Sequence, residues 1–147
     1  MVDDEDYGKV KNWEWSCLRS GKNRCAYAVR MFRKPKQTIV LMHRVINNTP
    51  LGFDTDHVNG DGLDNRKINL RTCSKSENKA NSRKYIGGTN KYKGVSWSKG
   101  KQKWASYASK NSKIFHLGYF ISEVEAALVY NKFAKENYGE FARLNKV

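Results

Sequence analysis

Cysteine is scarce in this chain. Cys17, Cys25 and Cys73 are odd in number, and no two of them stand in C-x-x-C spacing. That argues for a reducing compartment and against a structural zinc. Long apolar runs are missing too. None reaches about 18 residues, so no segment is expected to span a bilayer. No secretory signal opens the chain, which starts on the acidic Asp3-Asp4-Glu5-Asp6, and a cytoplasmic location is expected. That acidic opening reads as a solvated turn rather than a metal site. Acidic residues are otherwise few: 14 Asp and Glu face 28 Lys and Arg in 147 residues, a net charge of +14, and 12% of residues are aromatic. The isoelectric point is near 9.8. Such a balance favours a polyanionic partner, nucleic acid before membrane.

What is present is concentrated in one stretch. Asp56-His57 is followed twelve residues after the His by Asn69, and nine residues later by Asn78. A carboxylate can hold a hard divalent cation through oxygen. A His can take a proton from water near neutral pH. One Asn can complete a metal site and another can brace the loop between the parts. Phe53 to Val58 reads as a short strand. Asn59-Gly60-Asp61-Gly62 is dense turn chemistry, and Ile68 to Cys73 reads as a second strand. Ser74-Lys75-Ser76-Glu77 has the S-x-x-E form of a capping box, so a helix is expected to start there with Asn78 near its first turn. Helix N-termini favour phosphate. An EF-hand fails here, because Val58 and Asn59 fall where an oxygen ligand and the turn Gly are needed if Asp54 is position one. Asp61 and Asp64 read as turn residues rather than ligands.

From His43 to Ser82 the order and spacing of these residues resemble the HNH nucleases, whose core is a ββα-metal finger. The phage and intron-encoded homing branch is the most similar. The resemblance implies that His57 is the general base activating water and that Asp56 and Asn78 are the metal ligands. It implies that Asn69, in I-N-L-R, holds the loop so that His57 points at the scissile phosphate. It also implies one Mg²⁺ or Mn²⁺ per site. The third letter of the motif is Asn78 here rather than His, so metal affinity is expected to be modest. Asn81, three residues on, is a substitute ligand candidate, and Arg71 or nearby lysines can add phosphate contacts.

Upstream, Trp13, Trp15, Tyr27, Val29 and Met31 suggest short strands. Lys34-Pro35-Lys36 punctuates them, and Thr38 to Met42 is a further strand. His43-Arg44-Val45-Ile46 can begin a short helix, with His43 read as an architectural hydrogen-bonder rather than a catalyst. Ser82 to Lys91, with Gly87-Gly88-Thr89-Asn90, reads as a flexible linker.

Beyond it, Tyr92 to Trp97, Lys103 to Ser109 and Lys113 to Phe120 read as three strands. A second capping box, Ser122 to Glu125, starts a helix expected to run to Tyr138 and to stop at Gly139. Ala126, Ala127, Tyr130, Phe133 and Ala134 recur at helical spacing and suit close packing on a sheet. Half of the net charge, +7, lies in residues 91–147.

The residues Y-K-G-V from Tyr92, K-W-A from Lys103, H-L-G-Y-F from His116, E-A-A from Glu125, Tyr130 and A-R-L-N from Ala142 resemble the APETALA2-type DNA-binding domain, which lays a three-stranded sheet in the major groove. Strand parity then sends Trp104, Ser106, Ala108, Phe115 and Leu117 toward the helix. Lys103, Tyr107, Ser109, Ile114 and His116 face DNA, with Lys93, Ser96 and Ser98 on the first strand, and Lys110 adds a phosphate contact. Ser96 and Ser98 replace arginines that read bases in the plant members, and a Ser cannot bridge two guanine acceptors as Arg does. Contacts to phosphate are therefore expected to weigh more than base readout. Trp104 is read as core, and Trp97 as core or base contact.

The sequence therefore predicts an α+β protein: a β-rich nuclease domain over 1–83 with its finger over about 53–83, a linker over 84–91, and a sheet-plus-helix DNA-binding domain over 92–147. The expected function is metal-dependent cleavage of double-stranded DNA by a monomer or weak dimer, without a small-molecule cofactor, in a phage-infected or bacterial cell. Two alternatives are a DNA-binding regulator with a vestigial finger and a module that binds or cleaves RNA.

Overall fold

The computed structural model describes residues 1–20, 25–32, 38–84 and 90–147. Within them the chain is α+β, with four α-helices and three small antiparallel sheets. It divides into two compact units, Met1–Lys75 and Ser76–Val147. Among the described residues no helix is long and apolar enough to cross a membrane. The expected Lys34-Pro35-Lys36 break and most of the Gly87-Gly88-Thr89-Asn90 linker lie outside the described residues.

The first unit opens with a helix, α1 (Asp4–Val10), where the sequence suggested a solvated acidic turn. Asp4, Glu5 and Asp6 stand in its first turn, where negative charge meets the positive end of the helix dipole. Asp6 is fully buried and ion-paired to Lys9 at 2.7 Å. Lys67 Nζ lies 2.8 Å from Glu5, and the Lys67 N–H donates to Asp3 Oδ2 at 2.7 Å. The acidic opening is thus a structural clasp on the segment around Lys67.

A three-stranded antiparallel meander follows, β1 (Ser16–Ser20), β2 (Cys25–Phe32) and β3 (Thr38–Leu41), in the order β1-β2-β3. Trp13 and Trp15 precede the sheet. They pack on each other at 5.9 Å, and Trp15 Nε1 donates to Val10 O. β3 runs directly into α2 (Met42–Ile46). Val10, Met42, Ile46 and Leu70 form the buried core of this unit, joining α1, α2 and the hairpin that follows. That hairpin is β4 (Asp54–His57) paired with β5 (Leu70–Cys73), with a single 3-10 turn over Lys67–Asn69 before β5.

The second unit holds α3 (Lys75–Asn81) from Ser76 on, the meander β6 (Val95–Ser98), β7 (Lys103–Lys110) and β8 (Lys113–Phe120), and α4 (Glu123–Tyr138). The sequence placed α3 with the nuclease domain and set the break at 84–91. The compact units divide between Lys75 and Ser76, and the end of α3 is tied into the second one. Ala80 is buried with Ala108, Tyr130, Ala134 and Tyr138. The Arg143 N–H donates to Ala80 O, and Arg143 Nε donates to Asn81 Oδ1 at 3.3 Å.

α4 begins as its sequence requires. The Ser122 side chain accepts from the N–H groups of Val124 and Glu125, and the Glu125 carboxylate takes the Ser122 N–H, a reciprocal cap. It ends at Gly139, whose φ is 51°. Ala126 and Ala127 are fully buried against Tyr92 and Val95, with Trp104 and Phe120 packed around them. The A-R-L-N motif closes the unit: the Asn145 amide bonds both the N–H and the C=O of Lys93, and Asn131 bonds the Asn145 backbone in turn.

Gly94 has φ +75°, and a Cβ there would run into the Tyr130 ring and lie 2.6 Å from Tyr107 O. A Cβ at Gly100 would meet nothing within 4 Å. Gly94→Ala should therefore destabilise the chain by about 2–4 kcal/mol, from backbone strain plus overpacking. Gly100→Ala should move it by less than about 0.5 kcal/mol. Urea midpoints of the two variants check this. Equal midpoints would show that Gly94 is not confined by Tyr130.

Candidate functional site

The first candidate site is built on the β4–β5 hairpin. Asp56 pairs with Arg71 across it and His57 with Leu70. Thr55, Asp56 and His57 are all buried, so this strand presents polar chemistry to the interior. The strand is steered into place from α2. Arg44 donates to the carbonyls of Phe53 at 2.7 Å, Pro50 at 3.1 Å and Thr49 at 3.4 Å, which fixes the loop entering β4. Asn47 Nδ2 bonds Thr72 Oγ1 at 2.9 Å, and the Thr49 and Thr55 hydroxyls share a short hydrogen bond.

Asn69 is hydrogen-bonded to both ends of the β4–β5 loop. Its Oδ1 accepts the Asn59 N–H at 3.0 Å, its Nδ2 donates to Asp64 O at 2.7 Å, and its own carbonyl accepts the Val58 N–H at 2.9 Å. Both ends of the loop thus hang on one buried residue. Asp64, read from sequence as a turn residue, is a buried anchor. Arg66 grips both its oxygens at 2.8 Å, Asn59 Nδ2 donates to it at 3.0 Å, and this hydrogen bonding to Arg66 holds its carboxyl at about 2. Asp61 caps its own turn by accepting the Leu63 N–H. Gly62 has no room for a side chain, because a Cβ would lie 2.6 Å from the Tyr27 ring. The loop therefore passes directly over β2.

The loop delivers a residue that the sequence reading missed. Asn65 is buried, and its Oδ1 lies 3.2 Å from His57 Nε2. Its Nδ2 points at Met42 Sδ and Leu63 O. With the amide in that orientation His57 Nε2 carries the hydrogen, and Nδ1 carries the lone pair. The only sequence signal was the D-N-R run between a turn and I-N-L, which carries no motif weight by itself.

Burial lowers the His57 pKa from its usual value. The Asn65 hydrogen bond and Asp56 pull it the other way without reversing the shift. The imidazole also meets His43 edge-on at 5.0 Å and Tyr27 at 6.0 Å. His43 was expected to be an architectural hydrogen-bonder. It is buried against Tyr27 and His57, and its Nδ1 has no hydrogen-bond partner. Burial, with His57 and Arg44 nearby, pushes its pKa down to about 4.

Asp56 faces Arg71. Nε and a terminal nitrogen of Arg71 lie 2.9 and 2.7 Å from Asp56 Oδ2. Arg71 was expected on phosphate, and here its guanidinium is committed to the carboxylate. Asp56 and Asn78 are hard oxygen donors, a set that fits Mg²⁺ or Mn²⁺ and not a soft metal. Asn78 stands on α3, in the second unit, and Asp56 in the first. Among the described residues, the one cluster of three acidic, His or Cys side chains close enough to share an ion is Asp3, Glu5 and Asp6. Lys9 and Lys67 already neutralise it. Asn81, the substitute ligand candidate, is buried and bonded by Arg143.

The second candidate site is the face of the β6-β7-β8 sheet opposite α4. Trp104, Ala108 and Leu117 pack toward the helix, and Phe115 meets Phe133 at 5.3 Å. Trp97 pairs with Trp104 across the strands and contacts it at 5.2 Å, which puts Trp97 on the helix side, at the edge of the core. On the open face Tyr107 pairs with His116, ring to ring at 5.0 Å. A bulge at Ser106/Tyr107 shifts the register of β8. Tyr119, which strict alternation would turn inward, therefore joins His116 at 4.5 Å. Ser96, Lys103 and Ile114 are also exposed, and Ser98 is half-buried.

Two of the lysines expected to contact DNA have partners within the chain. Lys93 precedes β6, and its Nζ donates to the carbonyls of Ala80 at 2.6 Å, Ser82 at 2.8 Å and Lys79 at 3.2 Å. Burial there brings its pKa down to about 8. It caps the open carbonyls at the end of α3. Lys110 donates to Asn137 Oδ1 at 3.0 Å. Charge is nonetheless segregated in this unit: residues 91–122 contain seven lysines and no acidic residue, and all four glutamates of residues 91–147 lie at 123–140.

No protein-family model matches the chain, and no solved structure matches it. Among curated proteins it is similar to Protein 3.8 of Escherichia phage T7, with 27% identity over 115 residues that cover 78% of this chain and 93% of that protein.

The buried imidazoles set a pH dependence. The His43 pKa is about 4 in the folded chain and about 6.5 unfolded. The unfolded chain therefore binds more protons in that window. Stability is full above about pH 6.5 and falls as pH drops toward 4, by up to ~3 kcal/mol. Urea denaturation at pH 7 and pH 4.5 should show this loss, and His43→Phe should remove most of it. A His43→Phe variant that loses stability with acid as steeply as the parent would place the loss elsewhere.

Proposed function

We propose that this chain is a metal-dependent DNA endonuclease of the HNH homing type, positioned on duplex DNA by the sheet of its second unit. The observation that carries the proposal is the buried Asp56-His57 pair on a hairpin whose loop is braced by Asn69. The imidazole is held neutral near pH 7, with Nε2 bonded to Asn65. Nδ1 would take a proton from water. The resulting hydroxide would add to phosphorus, and the 3′ oxygen would leave. Asp56 would hold a Mg²⁺ or Mn²⁺ ion, with Asn78 assigned to it by the HNH resemblance alone. A bound ion of this kind supplies positive charge to the developing phosphorane and leaving oxygen. The phage relative supports a phage setting for the chain, and its name states no activity.

One observation favours a second reading, a non-catalytic DNA-binding regulator with a vestigial finger. The Arg71 guanidinium sits on Asp56 and neutralises the carboxylate that a metal needs.

Supercoiled plasmid separates the two. With Mg²⁺ the full chain should nick or linearise it. His57→Ala should lower that rate by about 10²–10⁴-fold while plasmid binding stays within about threefold. A chelator should stop cleavage and leave the circular dichroism spectrum unchanged. Binding without cleavage in any divalent ion would establish the regulator.

Asn69→Ala should leave Asp64 O and the Asn59 N–H without their partner, at about 1–3 kcal/mol for the buried groups. Cleavage should fall even where the variant remains folded, because the loop carrying Asn65 loses its tie. Unchanged cleavage by a folded Asn69→Ala would remove the loop from the mechanism.

A further inference from the structure

The open face of the second sheet is cationic at one margin and aromatic at its centre. Lys99, Lys101 and Lys103 are exposed at the turn end of β6 and β7. Beyond them lie Tyr107, His116 and Tyr119 as one continuous group, with centroids 5.0 and 4.5 Å apart. Tyr107 and Tyr119 are 36% and 41% exposed, so their rings present apolar surface outward. Small residues, Ser96 and Ala105, flank Tyr119 across the strands and leave the rings prominent. No arginine lies in residues 91–122, so the guanidinium fork that reads guanine is absent from this stretch.

We infer that Tyr107, His116 and Tyr119 form a methyl-reading patch that selects thymine in the major groove of duplex DNA. The inference rests on the duplex binding proposed above and adds the base class that the face prefers. In the major groove thymine is marked by its C5 methyl, the one apolar group on a base edge there, and apolar side chains recognise it by contact. Lysines without nearby acids supply the phosphate attraction that brings the groove to the rings. The ring geometry favours groove edges over stacked bases. Neighbouring planes are inclined at 61° and 53°, so successive bases of a single strand could not lie flat on them as on a stacking platform.

The test uses the full chain in chelator, which prevents cleavage, with three duplex polymers: alternating dA-dT, the same polymer with dU for dT, and alternating dG-dC. The dA-dT duplex should bind at least about fourfold more tightly than the dA-dU duplex, the value of one buried methyl at ~0.8 kcal/mol. Methylating cytosine at C5 in the dG-dC polymer restores a methyl at the same groove position and should tighten binding. Tyr119→Ala and Tyr107→Ala should each reduce the dT-over-dU ratio toward one. Tyr119→Phe, which keeps the ring, should preserve it. Lys99→Ala with Lys101→Ala should weaken all three duplexes alike.

Equal affinity for dA-dT and dA-dU, with tight binding to both, would overturn the methyl reading and leave duplex binding intact. Tighter binding to oligothymidine or RNA single strands than to any duplex would overturn both. The parent protein alone decides the dT-to-dU comparison, so the inference is tested even if an alanine variant fails to fold.

Discussion

The first unit turns on one buried amide. Asn69 holds the two ends of the β4–β5 loop through Oδ1 and Nδ2, and ties the base of the hairpin through its own carbonyl. Three consequences follow. Asp64 is kept inward, where Arg66 and Asn59 satisfy it. Asn65, next in sequence, is thereby set against His57 Nε2. The lone pair of His57 is then assigned to Nδ1. The tautomer of the candidate base is thus decided by a residue eight positions away, itself placed by one four positions further on. Polar networks of this kind are rigid when every member is satisfied and costly when one is removed.

The second unit depends on an opposite arrangement. Its acidic groups are set apart along the chain: residues 91–122 carry seven lysines and no acid, and the glutamates beyond residue 90 lie on and just after α4. Where a lysine does turn inward it is consumed by structure. Lys93 replaces the missing hydrogen-bond partners at the end of α3, and the Asn145 amide holds its backbone from both sides. That clamp explains why Y-K-G-V and A-R-L-N occur together at opposite ends of the unit.

Much of this was legible in the sequence because the signals were local. The Ser122 to Glu125 cap, the Gly139 stop and the alternation of β7 each depend on residues within a few positions of one another. The part given to Asn69 in the loop came from the I-N-L-R resemblance, and the bonds that tie it to Val58, Asn59 and Asp64 became visible in the structure. Three features were not legible, each for a long-range reason. α1 was read as a turn because its acidic residues look solvated, whereas Lys67, some sixty positions away, neutralises them. Tyr119 joins the open face because a bulge breaks the period of two, and no residue type announces a bulge. The bonds of Lys93 to the α3 carbonyls and of Lys110 to Asn137 are the third, because charge is visible in sequence and orientation is not.

Charge and burial meet at His57 under the nuclease reading. A polyanion near an imidazole stabilises its protonated form, so DNA binding by a chain of +14 would by itself tend to disable a general base. Burial against His43 and Tyr27 acts in the other direction, by penalising the cation. The His43 ring cannot become a compensating charge, because its own pKa is near 4. An aromatic wall of this kind keeps the base neutral in a field that favours its protonation, and it does so without placing a second cation beside the phosphate. That accounts physically for a buried His43 with an unpartnered nitrogen: its value to the site lies in staying uncharged.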